Sequence, residues 1–420
     1  MKKNYANATF QDFENVIGQD LFTTLNEFHD YLDFLRSNGH LNYRIESFSS
    51  LGPEMDLLLP DDRGSTKAIC LVSNDYLGFS QHPKIKAAVV DGITKFGTGS
   101  GASPAIGGHF VYHRMLEEKI AAFYKKEAAI LYTTGYTANS ATLQSLLHKE
   151  DLIILDMAVH ASVYEGALKT NVKTFLHNNL EMLEHVLKNA QHNYRTKMVV
   201  IDGVYSQDGD TAPVKEIAAL THKYGAYLVV DDAHGVGVLG KTGRGVIEQE
   251  NAFNDVDIIT GTFSKALGNI GGYALGEPKL IEYLKFQSKQ HLFSTTATPA
   301  IFGILKAIDL IDEEPEWRSK LLANIKFLKH GLASAGFDVG TTSSAVIPVK
   351  IGDIAKTLEA GKLLLEAGIY TNPIMYPAVA KKNARIRLNV MATHTFEHLG
   401  KVVDAFIEID KELKLSNKVS

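Results

Sequence analysis

A single lysine stands in residues 260–268, where a short apolar run leads into hydroxyl-bearing residues and glycines. Residues 256–259 have the apolar character of a buried strand, and Lys265 follows shortly after them. A lysine amine at a strand end, among apolar neighbours, loses part of its charge and can form a Schiff base. Lys265 is therefore our first candidate for covalent chemistry, although an isolated lysine after a strand is more often an ordinary surface residue.

An acid and a histidine follow another apolar run, within residues 229–235. A carboxylate at a strand end, here Asp231, can hold a proton on a heteroaromatic nitrogen, because opposite charges stabilise each other. His234 lies three residues further on and could reach an oxygen of the same ring. Together with Lys265 at the end of a later strand, this pair predicts a pyridoxal phosphate site.

Two further segments fit such a site. Residues 132–139 have the pattern of a strand, a glycine turn at Gly135 and a helix start. Free backbone amides and the helix dipole at that point would hold a phosphate, although a plain strand-to-helix connection gives the same pattern. His160 follows the next predicted strand, where its flat ring could stack on a cofactor. An ordinary hydrogen-bonded histidine is the alternative for this position.

Residues 235–242 satisfy the spacing of a P-loop, with two glycines, a lysine and a threonine. A P-loop requires a helix that begins at the lysine, so that its amino end faces the phosphates. Lys241 is instead followed closely by Gly243 and Gly245, which are poor helix formers. We therefore prefer the interpretation built on Asp231 and His234. A nucleotide hydrolase that depends on Lys241 is the alternative, and ATP binding would reveal it.

The composition is that of an ordinary globular protein of 420 residues, 45% hydrophobic and 22% charged, long enough for two domains. Its 43 basic and 48 acidic side chains give a net charge of -5, which argues against nucleic-acid binding. The single cysteine, Cys70, cannot form an internal disulfide and lies in an apolar run, so we expect it to be buried. This cysteine usage fits the cytoplasm.

The first residues are polar, so we expect no export signal, and no apolar run approaches the ~20 residues that cross a bilayer. Between residues 10 and 35, apolar side chains recur at near-helical spacing and predict one amphipathic helix. The polar face of this helix is acidic, which favours packing on the protein over peripheral contact with a membrane.

Short apolar strands alternate with helices from residue 127 to residue 275, which predicts a mostly parallel α/β sheet covered on both faces. Such sheets bind ligands at the carboxyl ends of their strands, where all the residues above fall. The predicted strands are 128–132, 152–155, 173–176, 198–201, 227–230, 258–260 and 272–275. The predicted helices are 136–147, 180–190, 213–224 and 246–251.

The pattern changes after residue 299, with predicted helices at 301–311 and 317–335 and strands at 346–351 and 384–390. Thr395 is a candidate cap for a last helix at 396–413. We predict three parts: an N-terminal helical arm and small segment (1–70), a large α/β domain that binds the cofactor (71–299) and a smaller α+β domain (300–420). We expect residues near the N-terminus to join the smaller domain.

Four motifs occur in order along the chain: Ser-Asn-Asp-Tyr-Leu-Gly at 73–78, Asp-Asp-Ala-His at 231–234, Gly-Thr-Phe-Ser-Lys at 261–265 and Arg-Leu-Asn-Val-Met-Ala-Thr-His-Thr at 387–395. With them the chain resembles the α-oxoamine synthases, a family of pyridoxal phosphate enzymes. Residues 372–373, 376–379 and 391–395 are most similar to its serine palmitoyltransferase members. The resemblance implies the fold-type I (aspartate aminotransferase-like) architecture and a homodimer.

The resemblance also implies a role for each site residue. Lys265 would bind the cofactor covalently and move protons, His160 would stack on the ring, Asp231 would pair with the ring nitrogen and His234 would contact the ring oxygen. Further implied cofactor contacts are Gly135, Tyr136, Ser206, Thr262, Ser264, Ser294 and Thr295, the last two reaching the partner subunit's phosphate. The implied substrate contacts are Asn74, Tyr76, His109 and Arg387, the last as a bidentate partner of a carboxylate. No metal is expected.

The implied reaction is a decarboxylative condensation of a small amino acid with an acyl thioester of coenzyme A or acyl carrier protein, which gives an α-amino ketone. Synthesis of a sphingoid base or a related lipid is the expected context. The chain departs from the family at Pro104, where many members carry an arginine, and proline removes both a cation and a backbone donor. Cysteate, as in sulfonolipid synthesis, glycine and alanine therefore stay open as alternatives to serine.

Two other classes of protein compete with this interpretation. A catalytically silent scaffold subunit would lack the Schiff-base lysine, whereas Lys265 is present. An aminotransferase or aldolase would share the cofactor site but release a keto acid or an aldehyde. Release of carbon dioxide on addition of an acyl thioester distinguishes the expected reaction from both.

Overall fold

The computed structural model describes residues 5–14, 16–60 and 63–416. Its strands, β1 to β14, are Glu46–Ser47, Glu54–Leu58, Ser65–Cys70, Ala128–Tyr132, Leu152–Asp156, Asn171–Phe175, Lys197–Asp202, Tyr227–Asp231, Ile258–Thr262, Gly272–Gly276, Val346–Lys350, Ile369–Tyr370, Asn372–Ile374 and Arg385–Asn389. Its α-helices, α1 to α14, are Leu21–Ser37, Pro83–Phe96, Val111–Phe123, Gly135–Leu146, Ala161–Gly166, Leu180–Ala190, Val214–Lys223, Gly245–Gln249, Pro278–Gln287, Lys289–Phe293, Ile301–Glu313, Glu316–Ser334, Ile354–Glu366 and Phe396–Leu413.

The chain divides into two compact units. The large unit comprises Asn74–Ser206 and Asp210–Leu321, and the small unit comprises Met1–Ser73, Gln207–Gly209 and Leu322–Ser420. This division differs from the expected boundary at residue 300, because α11 packs on α2 and α3 of the large unit. It also groups Met1–Ser73 with the C-terminal part, which we expected residues near the N-terminus to join.

A seven-stranded sheet forms the centre of the large unit, in the order β4-β10-β9-β8-β7-β5-β6. Strand β10 is antiparallel to both of its neighbours, and the other pairings are parallel. Every residue of β5 and β7 is buried, as expected of parallel strands with helices on both faces. The predicted mostly parallel sheet is confirmed.

The predicted elements of residues 127–275 are all present, and their ends differ from the prediction by at most two residues. The agreement reflects apolar runs bounded by turn residues, which fix strands regardless of distant contacts. The P-loop alternative is wrong, because the helix after the glycine-rich loop begins at Gly245 and not at Lys241, which is exposed.

Two small sheets form the small unit, in the orders β1-β2-β3-β12 and β11-β14-β13. Helix α14 begins where predicted, and the side chain of Thr395 accepts a hydrogen bond of 3.1 Å from the backbone N–H of His398. Cys70 is fully buried at the end of β3, as expected. Within the ranges that the structure describes, no helix has the length and apolar character needed to cross a bilayer.

The prediction of one helix over residues 10–35 is wrong. A 3-10 helix at Phe10–Phe13 is separated from α1 by a turn in which Gly18 has a φ of 84°. Asp20 then caps α1, and its carboxylate accepts hydrogen bonds from two backbone N–H groups of the first turn. Phe13 and Tyr31 pack with Ile354 in one buried cluster, so this segment does pack on the body of its unit.

Candidate active site

A cavity of about 230 Å³ opens in the large unit, at the carboxyl ends of β4, β5, β7, β8 and β9. This is the edge of the sheet at which parallel strands gather their ligand-binding loops. The cavity is lined by Asn74, Thr134, Gly135, Tyr136, Asn139, His160, Asp202, Val204, Asp231, Ala233, His234, Thr262, Ser264 and Lys265.

Asp231 ends β8, and both of its carboxylate oxygens are held in place. The amide Nδ2 of Asn139 donates to Oδ2 over 2.6 Å, and the backbone N–H of Ala233 donates to Oδ1 over 3.0 Å. Asn139 is itself fixed, since Nδ2 lies 2.9 Å from Oγ of Ser162 and Oδ1 accepts from Oγ1 of Thr260 over 2.6 Å. Two donors fix the orientation of this buried carboxylate.

His160 caps the short helix α5, and its ring faces the cavity. The hydroxyl of Ser162 lies 2.8 Å from Nδ1, and the backbone N–H of Ser162 lies 3.3 Å from the same atom, so the ring is held in orientation. Desolvation lowers the pKa of His160, the charge of Asp231 opposes this, and the charge of Lys265 lowers the pKa further. The lowered pKa favours the neutral imidazole, and the flat ring at this position suits stacking on an aromatic cofactor.

The hydroxyl of Tyr76 contacts His234, which lines the cavity. The Tyr76 hydroxyl lies 2.6 Å from Nδ1 of His234 and donates to Oδ1 of Asn74 over 3.2 Å. Tyr76 is fully buried, whereas Asn74 and His234 line the cavity. Tyr76, which we expected to bind substrate, therefore positions two cavity residues in this structure.

The amino end of α4 forms an anion cradle with the end of β9. Thr134 caps the helix by accepting from the backbone N–H of Thr137, and Gly135 and Tyr136, the first two residues of the helix, line the cavity at its amino end. A Cβ atom on Gly135 would lie 2.6 Å from Cβ of Thr262, so only glycine fits this close approach. The backbone N–H of Ser264 donates to Oγ1 of Thr262 over 3.1 Å, which places two hydroxyls beside the helix end.

These groups together fit pyridoxal phosphate. The fixed carboxylate of Asp231 matches a protonated ring nitrogen, and the neutral ring of His160 matches an aromatic face. The helix end with Thr262 and Ser264 matches a phosphate, and Lys265 supplies an amine in the same cavity.

The structure does not bring every predicted residue to the cavity. Ser206 lies shortly after β7, and His109 is exposed in the loop before α3. Ser294 and Thr295 are exposed directly after α10. Arg387 is buried on β14 of the small unit. Their predicted roles remain predictions.

Sequence reasoning missed several lining residues, of which Thr134, Asn139 and Asp202 bear polar side chains. Asn139 lies four residues after Gly135, on the same face of α4, so helical spacing was the available signal. Asp202 ends β7 as Asp231 ends β8, and its position at a strand end was the signal.

The aminotransferase class I and II family model matches residues 66–406. An 8-amino-7-oxononanoate synthase from Alkaliphilus metalliredigens is 41% identical over 352 residues, which cover 83% of this chain and 89% of the relative. Another, from Thermoanaerobacter pseudethanolicus, is 38% identical over 93% of this chain and 100% of the relative. The chain belongs to this family, and within it to the α-oxoamine synthases.

The fold of the chain also matches that of solved serine palmitoyltransferase structures. A serine palmitoyltransferase from S. paucimobilis, with bound PLP and myriocin, superposes with a TM-score of 0.89 at 29% identity. The match covers 94% of this chain and 100% of that protein. The fold-type I architecture is confirmed, and the chain is a pyridoxal phosphate-dependent acyltransferase of the α-oxoamine synthase family.

Proposed function

We propose that this enzyme condenses a small amino acid with an acyl thioester, with loss of carbon dioxide, to give an α-amino ketone. The observation that carries the proposal is the gathering of Lys265, Asp231, His160 and His234 around one cavity of about 230 Å³. When bound there, pyridoxal phosphate supplies an electron sink for a carbanion at Cα of the amino acid.

Residues of the chain are proposed to bind the cofactor and to hold or move protons. Lys265 would hold the cofactor through its amine and would move the proton at Cα of the amino acid. Asp231, fixed by Asn139, keeps a proton on the ring nitrogen. His160 would stack on the ring, and His234, which contacts the Tyr76 hydroxyl, would bind the ring oxygen.

The remaining roles rest on the family resemblance. Arg387 is proposed to hold the carboxylate of the amino acid through a bidentate contact. Ser294 and Thr295 are proposed to reach the cofactor phosphate of a partner subunit, in a cytoplasmic homodimer. Ser206 is proposed to lie near the ring, and His109 near the entrance for the acyl thioester.

For the product, we propose a long-chain α-amino ketone of the sphingoid-base type or a related lipid. The serine palmitoyltransferase structure supports this, because it matches 94% of this chain with a TM-score of 0.89. Serine is then the first candidate amino acid. Cysteate and glycine stay as alternatives, because Pro104 replaces the arginine that many family members carry.

A second candidate product is 8-amino-7-oxononanoate, after which the relatives at 41% and 38% identity are named. Those identities exceed the 29% shared with the serine palmitoyltransferase. The name describes an α-amino ketone with a methyl group on the amino-bearing carbon and a terminal carboxylate, which corresponds to alanine as the amino acid.

The test is an assay of the purified enzyme with bound pyridoxal phosphate. Glycine, alanine, serine, threonine and cysteate are each combined with short, long and carboxyl-terminated acyl thioesters, carried by coenzyme A or by acyl carrier protein. Carbon dioxide release and the product mass are measured. Serine or cysteate with a long-chain thioester supports the first candidate, and alanine with a carboxyl-terminated thioester supports the second. A keto acid product without carbon dioxide release contradicts both.

A matched pair of lysine variants tests the site itself. Lys265→Ala should lose activity by roughly 10³-fold or more, as expected when a covalent group is removed. Lys241→Ala removes an exposed lysine of the neighbouring glycine-rich loop and should keep full activity. Equal activity of the two variants would contradict the assignment of Lys265.

A further inference from the structure

Two carboxyl groups stand side by side at the cavity. Asp202 and Asp231 are register partners at the ends of the parallel strands β7 and β8, and both line the cavity. Neighbouring strands lie about 4.8 Å apart, and register partners point to the same face of a sheet. Asp202 is 3% exposed and Asp231 is 7% exposed. Two buried carboxylates so close together cannot both be ionised without a large energetic cost.

The hydrogen bonds that the two carboxyl groups accept differ in number and in length. Asp231 accepts from Nδ2 of Asn139 over 2.6 Å and from the backbone N–H of Ala233 over 3.0 Å. Asp202 accepts one hydrogen bond from the described residues, from the backbone N–H of His160, and this bond is long at 3.4 Å. The negative charge is therefore better stabilised on Asp231.

The charged groups around Asp202 lead to the same result. Asp156 at the end of β5 and Asp231 at the end of β8 are both acidic and lie near Asp202, while Lys265 opposes them and Asp156 is itself paired with His177. Burial raises the pKa of Asp202 well above its ordinary value, and repulsion from Asp231 raises it further. The backbone N–H of His160 and the charge of Lys265 act in the opposite direction.

We propose that Asp202 is a positioning residue that stays protonated in the folded enzyme, so that Asp231 alone presents a negative charge from this pair. The proposal extends the proposed function, in which Asp231 keeps the ring nitrogen protonated. A neutral Asp202 does not compete for that proton. It also does not stabilise an imidazolium at His160, whose backbone it contacts.

The test is infrared difference spectroscopy of the holoenzyme at neutral pH, comparing the wild type with Asp202→Asn. A protonated carboxyl group gives a carbonyl stretch that a carboxylate lacks and that shifts in heavy water. We expect this band in the wild type and its loss in Asp202→Asn. Asp338→Asn, which changes an exposed aspartate of the other unit, is the control and should retain the band. Identical spectra of the wild type and Asp202→Asn in this region would overturn the proposal.

Two further measurements keep the test decisive. If Asp202→Asn does not fold, Asp202→Glu retains a carboxyl group and should shift the band; an unshifted band would overturn the proposal. Cofactor absorbance supplies the second readout, since the neutral isostere Asp202→Asn should retain pyridoxal phosphate while Asp231→Asn loses affinity at least 10-fold, about 1.4 kcal/mol. Equal loss from both variants would overturn the proposal. The infrared measurement does not require an active enzyme. A preparation without activity therefore contradicts the proposed function and not the protonation of Asp202.

Discussion

The amide nitrogen of Asn139 lies 2.6 Å from Oδ2 of Asp231, and this contact joins two parts of the site that are distant in sequence. Asn139 lies on α4, whose amino end forms the anion cradle, whereas Asp231 ends β8. The same amide accepts from Oγ1 of Thr260 on β9, the strand that leads to Lys265. One side chain therefore links the helix of the anion cradle, the strand that ends at Asp231 and the strand that precedes Lys265.

Replacing Asn139 by leucine should weaken cofactor binding about 10-fold. Leucine has a similar size but leaves the Asp231 carboxylate and the Thr260 hydroxyl without their partner, at a cost of about 1–3 kcal/mol. Absorbance titration of the cofactor-free protein with pyridoxal phosphate measures the change. Gln144→Leu is the matched control, because Gln144 lies on the same helix and contacts the backbone of Glu165 outside the cavity. Equal affinities of the two variants would count against the role of Asn139.

The elements that carry the site were predictable, and the contacts between them were not. Buried strands and glycine turns are local patterns, so Lys265, Asp231 and His160 could be placed at strand ends from the sequence. The partner of Asp231 is 92 residues away, and no local pattern selects Asn139 among the polar residues of α4. The pairing of Asp202 with Asp231 likewise depends on strand order, which was not predicted residue by residue.

The wrong prediction of one helix over residues 10–35 has a different physical origin. The prediction followed the helical spacing of apolar residues across residues 14–20. It gave too little weight to the helix-breaking residue Gly18 and the capping residue Asp20. In the structure Gly18 adopts a positive φ and Asp20 begins a new helix. Turn chemistry therefore overrode hydrophobic periodicity at this point.

Tyr76→Phe should lower kcat about 10-fold and lower the free energy of unfolding by about 1 kcal/mol. The variant keeps the buried ring and removes the hydroxyl that lies 2.6 Å from Nδ1 of His234, a hydrogen bond worth about 1–1.5 kcal/mol. Steady-state kinetics and urea unfolding measure the two effects. Tyr112→Phe is the control, because the Tyr112 hydroxyl is buried and has no hydrogen-bond partner among the described residues. A Tyr76→Phe enzyme with wild-type kcat would refute this role.

Gly235→Ala should destabilise the fold by roughly 1–3 kcal/mol, the usual cost of overpacking. A Cβ atom on Gly235 would lie 2.0 Å from Oδ1 of the fully buried Asp232, so this glycine of the P-loop-like segment serves packing. The free energy of unfolding in urea measures the effect. Gly99→Ala is the control, since a Cβ there has no atom within 4 Å and Gly99 has no positive φ. Comparable losses in both variants would refute the packing argument.

His177 should stabilise the protein in a way that disappears at alkaline pH. Its Nε2 lies 2.9 Å from Oδ2 of Asp210 and its Nδ1 lies 3.3 Å from Oδ1 of the buried Asp156. Desolvation lowers the pKa of His177, but the two carboxylates outweigh it and raise the pKa to about 10. An unfolded chain has a histidine pKa of about 6.5. Since the folded pKa is the higher one, the stabilisation is complete below about pH 6.5 and is lost as the pH rises through about 10.

His177→Gln tests this pH window. At pH 6 the variant should lose on the order of 2 kcal/mol of unfolding free energy. Hydrogen bonds to charged groups contribute about this much, and the partial exposure of the pair keeps the value modest. The difference from the wild type should shrink steadily between pH 6.5 and about pH 10, as followed by urea unfolding at each pH. His222→Gln breaks a more exposed histidine–aspartate pair, with Asp257, and should cost less than about 1 kcal/mol at every pH. A His177→Gln deficit that stays constant from pH 6 to about pH 10 would show that the side chain contributes packing and not charge.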